Sequence, residues 1–443
     1  MNHPWRQLLH VEPKAGWLND PNGLSDFGGL HQLYYQSSPD DPAGGGRKCW
    51  AHRTSKDFFH WSEEETVLFP DLPEDRSGVY SGSAVVLPHE IRLFYTGNVK
   101  EPGEHDYILS GRQANVIAVT TLDGSTMSPK RVLLRNGDYP ADCSCHVRDP
   151  KVWKEEGIWK MVLGARTRSD HGCVLLYHSE DLAHWTFASR CTKPDFGYMW
   201  ECPDFFRLGD QGFLSVSPQG LQHEPYRYQN VYQSGYFPVT GRLEEGQLGE
   251  FAEWDYGFDF YAPQTYQTAD GRRVLYGWMG IPDGDYRNPT TDLGCQHCLT
   301  LPREVEAENA VLFQRPVREL EGLLDPPEAV SSNGVLPPAC VLKLTRTAPC
   351  FALTLAGGLK LEYQGETGVF ALDFTDEALG AGRKRRQSKG MACRRLEIVV
   401  DTSSVEVYLD GGRQVFSSRF YPRTHPVQYA LTGATGTVCA VSL

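Results

Sequence analysis

The chain has 443 residues, 40% of them hydrophobic and 22% charged, with a formal net charge of -13. That length calls for two or three domains, and the composition is globular, with no long run of like charges. The acidic balance excludes a binder of nucleic-acid backbones, whose affinity comes from Lys and Arg, and points to neutral substrates or ones met by a few local cations.

From the N-terminus, MNHPWRQLLHVEPKAGW lacks an apolar core of signal-peptide length, and no 18-residue apolar run follows anywhere. With 12 cysteines, no glycosylation acceptor and no export signal, a reducing cytoplasmic setting without a membrane is expected. GWLNDPNGL (16–24) then sets Asp20 between two asparagines and against a proline. It is either a surface turn or a carboxylate with a chemical task. Strand-like runs recur after it: HQLYYQ around Leu33, IRLFYTG around Leu93, WKMVLGA around Met161, GFLSVSP around Leu214 and RRVLYGW around Leu275. Their intervals are 60, 68, 53 and 61 residues. Each follows a second strand candidate: DPNGL, SGSAVVL, DPKVW, CPDFF and APQTY. SKDFFHW (55–61) and SEDLAHW (179–185) echo each other as strand-edge turns. Five such units predict a five-bladed β-propeller. FQRPVRELEGLLDPPE (313–328), a helix-capable patch ending in Pro-Pro, breaks the pattern. Beyond it FALTLAGGLKLEY, VFALDF and RRLEIVVDTSSVEVYLDGG alternate as a β-sandwich. The expected fold is all-β: a propeller over 1–315, a linker with a short helix over 316–334 and a sandwich over 335–443.

The repeat bears on Asp20. Aligned on Pro21, Pro150, Pro203 and Pro263, the units present Asn19-Asp20, Arg148-Asp149, Glu201-Cys202 and Tyr261-Ala262, with Tyr80-Ser81 in the second unit. First strands of propeller blades line the central channel, so Asp20, Asp149 and Glu201 are expected at one mouth. Glu201 is one residue out of phase, which a longer side chain or a bulge must correct. Clustered carboxylates serve metal binding or glycosidic cleavage. No Asp-rich calcium loop is present, and the pairs Cys143/Cys145 and Cys295/Cys298 are looser than zinc knuckles, so no metal is expected. Trp17, Trp50, Trp200 and Trp278 around the acids suit a sugar or a packed core.

At WLNDPNG, RDP and WECPDFF the sequence resembles glycoside hydrolase family 32, the invertases, inulinases and sucrose-6-phosphate hydrolases. YSGSA, FYAPQ, GWM and LPRE extend the likeness to about residue 320. VDTSSVEVYLDGG and SSRFYP carry it into the sandwich. GYMWECPDFF, SPQG and GFDFYAPQ look most like the bacterial intracellular members. The resemblance implies a retaining β-fructofuranosidase acting on sucrose, sucrose-6-phosphate or short fructo-oligosaccharides, without a cofactor. It makes Asp20 the nucleophile, Glu201 the acid/base and Asp149 the transition-state stabiliser. Asn19, Gln36, Trp50, Tyr80, Ser81, Arg148, Cys202, Tyr261 and Trp278 fall around the fructosyl pocket. Tyr80 stands where the family usually has Phe. Proton donation calls for a raised pKa at Glu201, expected from its carboxylate neighbours and the apolar MWEC setting, and Asn19 and Asn22 are expected to hold Asp20 ionised. An inverting arabinan-type hydrolase and an inactive carbohydrate-binding propeller are the rival readings. A phosphorylated substrate needs a cation, for which Arg47, Lys48, Arg166, Arg168 and Arg287 are candidates. The run GRKRRQSKG (382–390) reads as a solvated loop, and Asp373, Asp401 and Asp410 as solvated or capping turn residues. A homo-oligomer is compatible with the sequence.

Overall fold

The computed structural model describes residues 3–443. Strand alternation organises everything in it. Blade 1 runs outward from Gly16–Phe27 through Leu30–Ser38 and Cys49–Ser55 to Glu65–Leu68. Blade 2 begins at Val79–Leu87, blade 3 at Cys143–Glu155, blade 4 at Met199–Leu208 and blade 5 at Tyr261–Gln267. In each, the first strand pairs antiparallel with the second. The ring closes where Cys295–Gln296, an excursion from blade 5, pairs parallel with Gly16 and Trp17 of blade 1. The two echoed motifs are equivalent to the atom. Asp57 accepts the backbone N–H groups of Phe59 and His60, as Asp181 accepts those of Ala183 and His184. No helix among the described residues is long and apolar enough to cross a membrane.

The fifth blade ends with Val311–Pro316, a short 3-10 helix spans Arg318–Leu323, and two six-stranded sheets follow. The fold is thus a five-bladed β-propeller followed by a β-sandwich. One sheet is buried on both faces, and period-two alternation divides its side chains. Leu342, Ile398, Val407 and Phe416 point into the sandwich core. Val341, Val399, Tyr408 and Val415 pack instead on propeller residues such as Leu9, Tyr276 and Leu301.

Buried charges cross the same interface, and they correct two expectations. Asp401 is fully buried, accepting the N–H groups of Leu8 and Leu9 and lying 2.8 Å from His10 Nδ1. It is a tie between the N-terminal segment and the sandwich, because those backbone donors have no other partner inside the interface. The basic run is not a solvated loop either. Arg383 is buried and forms a bidentate pair with Asp259 at 2.7 and 2.8 Å, while Arg386 stacks on Phe258 and bonds Asn230. Composition alone made these residues look solvated, whereas Arg383 and Arg386 each meet a specific propeller acceptor. Asp410 does cap a turn, accepting from the backbone N–H groups of Arg394 and Arg395.

Candidate active site

At one mouth of the propeller channel, residues from all five blades line a cavity of about 250 Å³. They include Asn19, Asp20, Tyr80, Ser81, Arg148, Asp149, Glu201, Cys202 and Tyr261, all near register breaks in the first strands. Asp149, Cys202 and Ala262, each directly before a proline, sit at φ 65°, 46° and 48°. Left-handed backbone at such residues costs about 1–3 kcal/mol each and is tolerated where the surroundings over-determine it. The bulge in blade 4 lets both Glu201 and Cys202 face the cavity, which resolves the phase problem of Glu201.

Asp20 is held by three donors. Ser81 Oγ donates to Oδ2 at 2.5 Å, Asn19 Nδ2 to Oδ1 at 3.1 Å and the Cys202 thiol to Oδ2 at 3.5 Å. Gln36 Oε1 accepts from Asn19 at 2.9 Å and lies 3.1 Å from Ser81 Oγ, beside that pair. Burial pushes Asp20 above the usual carboxylate range, with the Ser81 and Asn19 bonds opposing it. Asn22 does not touch the carboxylate, contrary to expectation. Its amide donates to the Asp20 carbonyl and accepts from the Gly82 N–H, so it shapes the turn.

Asp149 takes the Cys202 N–H at 2.9 Å and lies 3.6 Å from the Cys202 sulfur, which thus sits between it and Asp20. Burial, with the neighbouring Glu201 and Asp20 charges, pushes it up to about 7, because the Arg148 Nε 3.9 Å away compensates only in part. Glu201 behaves oppositely. Burial raises it, but the Arg148 charge and the Tyr261, Arg148 and Gln219 hydrogen bonds outweigh burial and hold it below its ordinary value. Arg148 Nη2 and Nε reach Oε1 at 2.5 and 3.1 Å, while Gln219 Nε2 and the Tyr261 hydroxyl donate to Oε2, each at 2.6 Å. The expected raised pKa at Glu201 is therefore corrected: the raised acids are Asp149 and Asp20, and Glu201 is the one held down.

Trp17 and Trp278 line the cavity, their rings 5.7 Å apart. The indole of Trp278 turns toward Gly280, where an added Cβ would lie 2.2 Å from Nε1. Trp50 and Trp200 are wholly buried. Trp50 is thus corrected from a sugar contact to a support: it packs among Tyr34, Leu68 and Tyr95 and donates to the Tyr80 carbonyl at 3.2 Å. Of the five cation candidates only Lys48 lines the cavity. Arg166 pairs with Asp170, Arg168 bonds the Ala141 carbonyl, Arg47 packs on Phe69 and Arg287 borders the interdomain groove. Arg112, Gln219, Tyr232 and Asp283 also line it and were not anticipated. Gln219 belongs to the SPQG block and could have been found there. Arg112 opens a third strand and carries no motif.

A sugar-sized cavity with three carboxylates, fixed by amides, hydroxyls and one arginine, and walled by tryptophans, has the make-up that glycoside hydrolysis requires. Comparison with known proteins agrees. Residues 10–316 match the family model "Glycosyl hydrolases family 32 N-terminal domain", and residues 364–442 match "Glycosyl hydrolases family 32 C terminal". The chain is 37% identical to a sucrose-6-phosphate hydrolase of Bacillus subtilis, over 97% of this chain and 92% of that protein. The structure of a sucrose-6-phosphate hydrolase from Lactobacillus gasseri superposes with a TM-score of 0.91 at 26% identity, covering 100% of this chain and 94% of that one. A Bombyx mori GH32 beta-fructofuranosidase variant in complex with sucrose gives 0.83 at 30% identity, covering 100% and 95%. The chain belongs to glycosyl hydrolase family 32.

Proposed function

We propose that the chain is a retaining β-fructofuranosidase that releases the terminal β-D-fructofuranosyl unit of sucrose, sucrose-6-phosphate or short fructo-oligosaccharides. The observation that carries this reading is the meeting of two differently held carboxyl groups across one cavity. Asp20 is held by Asn19, Ser81 and Cys202, and Glu201 by Arg148, Gln219 and Tyr261. Carboxyl groups with different partners can divide the work of nucleophile and proton donor. Asp20 attacks the anomeric carbon of fructose as its bond to the leaving oxygen breaks, and that oxygen takes the proton of Glu201. Water then hydrolyses the fructosyl ester, its proton returning to Glu201 and the carboxylate of Asp20 being freed. Asp149 accepts from fructose hydroxyls and steadies the oxocarbenium-like charge.

Glu201 must be protonated to begin. Asp149, pushed up to about 7, holds a proton below that pH, while Glu201 is held down. Sugar oxygens entering the cavity draw Arg148 from Glu201 Oε1, which lets the proton pass to Glu201 and leaves Asp149 ionised for the transition state. The scheme uses no metal or organic cofactor. The name of the Bacillus subtilis relative and the sucrose bound to the Bombyx mori enzyme both fit this substrate class. Twelve free cysteines, most of them buried, support a reducing cytoplasmic setting with small sugars as partners. The test is release of reducing sugar from sucrose and sucrose-6-phosphate, with the first-formed fructose anomer followed by NMR. Retained β-fructose is expected. An inverted anomer would favour the arabinan-type mechanism, and binding without release would favour a carbohydrate-binding module.

A further inference from the structure

Two cations in the cavity wall have no task in that scheme. Lys48 directly precedes the third strand of blade 1, Cys49–Ser55, and Arg112 opens the third strand of blade 2, Arg112–Thr121. Adjacent blades thus bring equivalent strand ends to one side of the mouth, with Tyr80 between them. The Arg112 guanidinium lies 5.6 Å from the Tyr80 ring. A Cβ added at Gly78 would meet both the Tyr80 ring at 2.9 Å and Lys48 Cβ at 3.1 Å.

Neither cation is paired with a carboxylate among the described residues. Arg112 Nε donates to the Asn98 side-chain oxygen at 2.9 Å, and its Nη1 lies 3.5 Å from the His146 ring, which burial and three arginines keep neutral. Lys48 Nζ rests 5.0 Å from the Trp17 ring. Burial pulls Lys48 down to about 8, with Asp20 and Asp41 opposing, so it is charged at neutral pH. Arg148, by contrast, is committed to Glu201. Half-buried cations without counter-ions are costly unless an anion joins them. The same cavity holds Asp20, Asp149, Glu201 and Asp283, which would repel an incoming phosphate unless free cations received it.

We propose that Lys48 and Arg112 receive the phosphate of a sucrose phosphate, carried on the leaving glucosyl unit, and so make the phosphorylated sugar the preferred substrate. The inference rests on the β-fructofuranosidase reading and narrows it. The fructosyl ring must sit over Asp20 and Glu201, so a charged group on the leaving half falls to the cavity wall. Guanidinium offers two parallel donors to phosphate oxygens and ammonium a compact charge, which suits a dianion held from two sides.

The experiment compares kcat/KM for sucrose-6-phosphate and for sucrose in wild type, Lys48→Gln, Arg112→Gln, the double variant and Arg112→Lys. Wild type should prefer the phosphate ester by about a hundredfold, and each neutral variant should lower the ratio about tenfold, through KM of the ester. The double variant should lose the preference, and Arg112→Lys should recover part of it. Because the ratio is taken within one preparation, any loss of folded protein cancels. Inorganic phosphate serves as a second probe: its competitive inhibition of sucrose hydrolysis should weaken in the same order. A ratio unchanged in the double variant, or a wild type that cleaves sucrose with no preference for the ester, overturns the phosphate site alone. A wild type that cleaves neither sugar overturns the functional reading, and this inference with it.

Discussion

Replacing Glu406 with Gln removes one charge from the buried network that joins sandwich to propeller. Arg303 and Glu406 are both without side-chain exposure. Glu406 Oε2 accepts from Arg303 Nη2 at 2.7 Å, Arg303 Nε at 3.0 Å and the Tyr408 hydroxyl at 2.6 Å. Its Oε1 accepts the Leu301 N–H at 2.7 Å and lies 3.0 Å from His10 Nε2. Every neighbour of this carboxylate is a donor, so an amide must turn its own N–H groups against donors at one end. Arg303 keeps only Asp255, 3.2 Å away, as a counter-charge. Removing one partner of a buried pair costs about 3–5 kcal/mol. At roughly 2.1 cal/mol/K per residue, 443 residues unfolding together carry about 0.9 kcal/mol/K, so the melting temperature should fall about 4 °C. Scanning calorimetry at neutral pH measures this, with sucrose turnover at 25 °C expected to be near wild type because the network lies outside the cavity. A fall of less than about 1 °C would refute the reasoning, as would two separate transitions in the wild type.

His10 lies between Asp401 and Glu406, and although burial lowers it, their hydrogen bonds and charges raise it to about 9. Its contribution to stability is full below the ordinary value of 6.5 and is lost as pH rises through about 9. Urea unfolding across that window should show the slope in wild type and a flatter one in His10→Gln. Asp149, raised by burial to about 7, keeps its proton folded but loses it unfolded, so its own contribution to stability falls as pH climbs from 3.8 to about 7. Asp149→Asn should therefore gain melting temperature over wild type progressively across that window and level off above it, while losing most activity. Truncation after residue 325 exposes Leu9, Tyr276 and Leu301 and strands Arg303, and should yield poorly soluble protein, measured as the soluble fraction on expression. Asp373→Asn and Asp410→Asn should keep near-normal kcat/KM, whereas Asp401→Asn should lower the melting temperature by breaking the N-terminal tie.

The blade count was legible because a strand-and-turn unit that cannot bury itself alone must repeat, and the prolines fixed the phase between Asp20, Asp149 and Glu201. That same phase put Glu201 one residue out, and the left-handed Cys202 that corrects it has no signature, since cysteine rarely adopts that backbone. Trp50 was misjudged because an aromatic near an active site reads alike whether its ring or its backbone-facing edge is used. Asp401 was read as a solvated or capping turn residue and Arg383 as solvated because charge suggests water, and only long-range packing brings His10 to the one and Asp259 to the other. The pKa order of the acids was out of reach for a related reason. It depends on Arg148 choosing Glu201 over Asp149, a matter of distances of 2.5 against 3.9 Å.

The division of roles between Asp20 and Glu201 is the centre of the account. It is tested most directly with an activated fructosyl donor whose leaving group needs no protonation, followed by rapid-quench kinetics and mass spectrometry of the intact protein. Glu201→Ala should keep a fast first step and accumulate a fructosyl ester on Asp20, because only the water-activating base is missing. Asp20→Ala should form no covalent intermediate and lose several orders of magnitude in rate. Equal loss of the first step in both variants, or an ester found on any other residue, would contradict the account.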